Sequence, residues 1–92
     1  MKFYDDILNS NLSFEVANKL MKNKKQFATR PCWDGFHFYD KNGKYCILLK
    51  NGKVDNYTLD DVYDKEKNDW IIVTPTKRAI KLIDNFMKAD PS

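Results

Sequence analysis

The sequence is poor in the residues from which active centres and metal sites are usually assembled. His37 is the single histidine among 92 residues, and neither a Cys-X-X-Cys pair nor a second histidine accompanies it, which argues against a dedicated zinc site. Only three glycines are present, and none belongs to a glycine-rich phosphate loop, a Gly-X-Ser-X-Gly elbow or a dinucleotide-binding fingerprint. No apolar run near Met1 resembles a signal peptide, and no stretch approaches membrane-spanning length. The two cysteines, Cys32 and Cys46, are therefore expected as free thiols in a reducing cytoplasm. Sequence distance does not forbid a nucleophile pair of either cysteine with His37, but cysteine is among the most buried residue types and usually structural. The expectation is a protein with no catalytic residues, no metal and no cofactor.

What is present suits one small folded domain. A 92-residue chain has room for a single core, so residues 1–92 are read as one domain. Burial is limited at this size, which makes a homo-oligomer, dimer or tetramer, a plausible further source of stability. Aromatic residues make up 14% of the chain, enough apolar area to outweigh 32% charged residues and argue against disorder. The net charge of +3 arises from 16 basic and 13 acidic residues that are mostly interleaved, as at Lys65, Glu66, Lys67 and Asp69. Such a surface suits a small anionic ligand and does not call for nucleic acid as a partner.

Periodicity gives an α+β class. Phe3, Tyr4, Ile7 and Leu8 read as one short helix or an extended arm. Ser13 stands at an N-cap position, followed by Phe14, Ala17, Leu20 and Met21 at helical spacing, which predicts a helix over about residues 13–22. Residues 25–30 read as a strand stopped by Pro31. Asn42-Gly43 and Asn51-Gly52 supply residues that tolerate positive φ between strand-like runs, so residues 36–58 are expected to form an antiparallel meander. Residues 60–69 read as a loop or short irregular helix. Trp70, Ile71, Ile72 and Val73 then form a continuous apolar strand, interior to the sheet. Ala79, Ile80, Ile83, Phe86 and Met87 predict a C-terminal helix over about residues 76–89, which completes the core or holds a partner subunit.

Two-residue turns would place Tyr39 opposite Cys46 and Cys46 opposite Tyr57. One face would then carry His37, Tyr39, Cys46, Leu48, Asp55 and Tyr57, a mixed set that reads either as a binding or subunit face or as a partly solvated sheet surface. The other would carry Phe36, Phe38, Tyr45, Ile47, Leu49 and Val54, an apolar face for the N-terminal helix to cover.

Ser13-Phe14-Glu15-Val16-Ala17, Leu20, Lys24-Lys25, Arg30 and Trp33, followed by Asp69-Trp70 and Ile71-Ile72-Val73, resemble the pattern of a family of short phage proteins, the second Thoeris anti-defence family. The resemblance covers about residues 13–73, with Pro31-Cys32 where a glycine often precedes the tryptophan and Asn23 where a turn glycine is common. Members of that family sequester cyclic ADP-ribose-type immune signals, and one inhibits a CRISPR nuclease. The resemblance implies a phage anti-defence protein acting in the cytoplasm of the infected bacterial host, which binds a small cyclic nucleotide, ADP-ribose-derived or related, without cleaving it. The alternative is an inhibitor that binds a host defence protein. Candidate ligand contacts are Arg30, Trp33, Phe36, Tyr57, Asp69 and Trp70: aromatic rings for a purine face, Arg30 for phosphate and Asp69 for ribose hydroxyls. Ordinary core packing is the competing role for Trp33 and Trp70.

Overall fold

The computed structural model describes residues 2–89. Its elements run β1 (Tyr4–Leu12), α1 (Phe14–Lys24), β2 (Phe27–Thr29), β3 (Phe36–Tyr39), β4 (Tyr45–Leu48), β5 (Val54–Asn56), a single 3-10 turn (Leu59–Asp61), β6 (Trp70–Pro75) and α2 (Lys77–Ala89). The strands form one antiparallel sheet in the order β1-β6-β2-β3-β4-β5. The α+β class holds, and the N-terminal segment proves to be an edge strand.

Local chemistry accounts for the element ends. The Ser13 hydroxyl accepts a 3.2 Å hydrogen bond from the Val16 amide, satisfying one of the donors left over in the first turn of α1. Lys25 closes that helix in the left-handed region at φ 56°. Thr76 caps α2 in the same way, accepting from the Ala79 amide at 3.1 Å. Strand β6 lies between β1 and β2 and is covered on both faces, which is why Trp70 to Val73 are apolar without alternation and at most 2% exposed.

The meander forms, but its register differs by one residue from that of two-residue turns. At the first loop the Asp40 amide donates to the Lys44 carbonyl at 2.9 Å and the Gly43 amide to the Asp40 carbonyl at 3.0 Å. The loop is therefore the three residues 41–43, with Gly43 left-handed at φ 80°. One Asp40 carboxylate oxygen holds it by accepting from the Asn42 and Lys44 amides. The second loop repeats the design: Leu49 pairs with Lys53, the Asn51 side chain accepts from the Lys53 amide, and Gly52 is left-handed at φ 86°. As a result Tyr39 faces Tyr45, Phe38 faces Cys46, and Cys46 faces Asn56.

Because side chains alternate along a strand, the extra residue in the first loop turns β4 over relative to β3, and the extra residue in the second turns β5 back, so that Val54 stays on the face of Phe36 and Phe38. Phe36, Phe38, Cys46, Leu48 and Val54 share one face, packed with Phe3, Ile71 and Val73 against Ala79 and Ile83 of α2. Tyr45, Ile47, Trp70 and Ile72 share the other, packed against Phe14, Ala17 and Met21 of α1. The N-terminal helix thus covers the face opposite to Phe36 and Phe38, and α2 completes the core on theirs. The mixed set expected on one face is thus divided: Cys46 and Leu48 lie on the α2 side, and His37, Tyr39 and Tyr57 on the α1 side.

Gly35 marks a close approach of β3 to β4: a Cβ there would stand 1.8 Å from the Leu48 carbonyl oxygen. Gly35→Ala is expected to cost about 3 kcal/mol, because backbone must move to admit it, whereas Gly43→Ala, in open space at positive φ, should cost about 1 kcal/mol. Urea denaturation of the two variants checks the order; equal losses would remove the close-approach argument.

Candidate functional site

Two connections place a cluster of polar and aromatic side chains at one end of the sheet. The first, residues 30–35, is a tight turn in which the Trp33 amide donates to the Arg30 carbonyl at 3.0 Å. It is pinned by the buried Thr29 hydroxyl, which donates to the Gly35 carbonyl at 2.7 Å. The second is the long connection from β5 to β6. Arg30 ties the two together: Nε and one terminal nitrogen donate to the two oxygens of Asp69, each at 2.8 Å, and the other donates to Asp64 at 2.7 Å. This fork-on-carboxylate pairing is the geometry that guanidinium favours. Hydrogen bonding to Arg30 holds the Asp69 carboxyl below its usual range, while Asp69 raises the guanidinium further above its own. The Trp70 indole nitrogen donates to the Asp64 carbonyl at 3.1 Å, adding a second tether to the same loop.

Between these connections lies a groove of about 730 Å³. Trp33, Tyr57 and Tyr63 border it, His37 forms part of its floor, and its charged groups are Asp34, Lys50, Asp61 and Asp64. The His37 ring stacks on Trp33 with 5.3 Å between centroids and a 9° tilt, and meets Trp70 and Tyr45 edge-on. Its Nδ1 lies 2.6 Å from the Tyr45 hydroxyl. Burial penalises the imidazolium and pushes its pKa down to about 4. Asp61, at the rim, is held ionised by accepting from the Thr58 amide and hydroxyl.

The six residues singled out in the sequence divide three ways. Arg30 and Asp69 do converge, but on each other, so the guanidinium is committed to carboxylates. Trp33 and Tyr57 are half-buried and border the groove. Phe36 and Trp70 are core residues: the Phe36 ring, 1% exposed, packs between Phe27 and Phe38 in the cluster covered by α2, and Trp70, 0% exposed, is enclosed by Phe14, Trp33 and His37. Phe36 also contributes to the groove lining, but at this burial it has little ring surface to give a ligand, and Trp70 is not among the lining residues. Lys50 and Tyr63 were not singled out from the sequence; Tyr63 is 78% exposed, and its only sequence signal is a lone aromatic ring within the charged run 60–69.

The two cysteines are free thiols in different surroundings. Cys46 is buried, pushed up to about 11 by burial and by Asp40, and donates to the Asn56 side-chain oxygen at 3.2 Å. It lies on the face opposite His37, which rules out that nucleophile pair. Cys32 is exposed and borders the groove. Among the described residues no cluster of His, Cys, Asp or Glu is placed to hold a metal ion, and no helix is long and apolar enough to cross a membrane. Comparison with family profiles, curated proteins and solved structures finds no match to this chain.

Two measurements test this geometry. His37 takes up its proton near pH 4 when folded and near 6.5 when unfolded, so its contribution is complete above pH 6.5 and is lost as the pH falls towards 4. Stability should drop by on the order of 2 to 3 kcal/mol between pH 7.5 and 4.5, and a His37→Gln variant should show a flatter slope over that window. Separately, iodoacetamide should label Cys32 alone in the native protein and both cysteines in urea; two labels in the native state would contradict the burial of Cys46.

Proposed function

We propose that this protein is a phage anti-defence protein that sequesters a cyclic nucleotide immune signal, ADP-ribose-derived or related, in the groove between the 30–35 turn and the β5–β6 connection, and releases it unchanged. The observation that carries the reading is the groove's composition. Its volume is that of a small-molecule site, Trp33, Tyr57 and Tyr63 offer aromatic surface to a base, and Asp61 and Asp34 can accept from ribose hydroxyls. The sequence resemblance supplies the ligand class. The phosphate contact first assigned to Arg30 passes to Lys50, the cation that borders the groove, and the role of Asp69 becomes that of holding Arg30. Action in the cytoplasm of the infected host, and self-association of the chain, belong to the same proposal.

A second reading rests on the groove's charge. Asp34 and Asp61, together with Asp64 that is paired with Arg30, border it against one lysine, a balance that suits a basic segment of a host defence protein such as a CRISPR nuclease.

The discriminating experiment is to incubate the protein with the cyclised ADP-ribose signal, measure free signal, then heat-denature the mixture and measure it again. Sequestration predicts depletion followed by full recovery. Depletion without recovery means enzymatic destruction, and no depletion removes the ligand class. Stoichiometric capture of a host protein, lost at high salt, would favour the second reading. Native mass spectrometry of the same samples reads ligand mass and oligomer order together.

A further inference from the structure

His37 is 8% exposed, yet only one of its two ring nitrogens is satisfied from within the protein. Nδ1 faces the Tyr45 hydroxyl at 2.6 Å. That hydroxyl, on a residue only 5% exposed, has no other hydrogen-bond partner among the described residues. A buried phenol must place its proton on an acceptor, so the Tyr45 O–H donates to Nδ1. A neutral imidazole that accepts at Nδ1 carries its hydrogen on Nε2. Nε2 itself has no partner among the described residues, and no buried side-chain nitrogen or oxygen there lacks one. It is therefore reached from the groove that His37 borders.

The geometry points to a specific contact: the Nε2–H of His37 is the hydrogen-bond donor at the floor of the groove, and the ligand is a flat heteroaromatic ring that places an in-plane acceptor, a ring nitrogen or a carbonyl oxygen, against it. The inference rests on the small-ligand reading above and narrows it. A ring entering beside Trp33 meets a neutral donor below and carboxylates at the rim, so its edge must present an acceptor inward and donors, such as hydroxyls or an exocyclic amine, outward. A lysine or arginine side chain presents only donors and would meet the Nε2–H donor to donor. Tyr45 is here a positioning residue. It selects the tautomer, while the stack on Trp33 sets the plane of the imidazole.

His37 is the only histidine in the chain, so protein labelled with 15N-histidine reports this site without ambiguity. Long-range 1H–15N correlation at pH 7 should show Nε2 protonated and Nδ1 bare, and titration with ADP-ribose and its cyclised form should move Nε2. Replacing both partners, His37→Phe with Tyr45→Phe, keeps apolar packing without stranding a buried hydroxyl, so the urea midpoint should change little while affinity for the same probe falls roughly fivefold. Binding with Nε2 unprotonated or unmoved, or undiminished binding by the double variant, overturns the contact and leaves the sequestration reading standing. Failure of both probes to bind overturns the two together. Should the double variant not fold, the spectrum of the unsubstituted protein still decides.

Discussion

Arg30 holds together the end of the molecule that carries the groove. The connection from Tyr57 to Asp69 has little regular structure beyond a single 3-10 turn, and its backbone would otherwise have few reasons to lie against the sheet. One guanidinium at the end of β2 grips Asp69 at the entry to β6 and Asp64 within the loop. The Trp70 indole adds its bond to the Asp64 backbone, and Val62 inserts into the α1-side core. The loop thereby becomes one wall of a groove whose other wall is the Trp33 turn. Arg30 also lies over the Trp33 ring, 5.5 Å from its centroid, so the same cation orders both walls. With its side chain only 14% exposed, it is a structural fastener, and any anion that enters the groove must find another cation.

A second dependence runs through the two hairpin loops. Asp40 and Asn51 each use a side-chain oxygen to capture amides inside a three-residue loop, and each loop ends in a left-handed glycine. These two polar side chains decide which residues of β4 and β5 face which helix. Shift the first loop by one residue and Cys46 would lie under α1 while Tyr45 lost His37; shift the second and Val54 would leave the face it shares with Phe36. The hydrogen bond that sets the histidine tautomer is thus a consequence of turn chemistry several residues away.

The groove combines a neutral floor with an acidic rim. Burial makes the charged form of His37 costly, and Tyr45 supplies the hydrogen bond that the neutral form can accept. The carboxylates remain at the rim, where water and Thr58 or Arg30 stabilise them. On the proposed reading, such a site would recognise a ligand through oriented hydrogen bonds and ring faces, with its charge acting mainly on how the ligand approaches.

Much of the architecture was legible in the chain itself. The cap at Ser13, the stripes of both helices, the unbroken apolar run of β6 and the glycines of the meander depend on local backbone preference and on the periods of helix and strand, which sequence states directly. What sequence could not supply was any quantity that depends on a count across space. Asn-Gly is compatible with two- and three-residue loops, and only the competition between Asp40 or Asn51 and the strand ladder selects the longer. With that choice came the face of β4 and the contact of Tyr45 with His37; the pairing of Arg30 with carboxylates in place of a ligand depends in turn on where the β5–β6 connection lies against the sheet. The residue types determined that a small antiparallel sheet would form between two helices. Tertiary structure alone decided which polar atoms were consumed in holding it together and which one was left facing the groove.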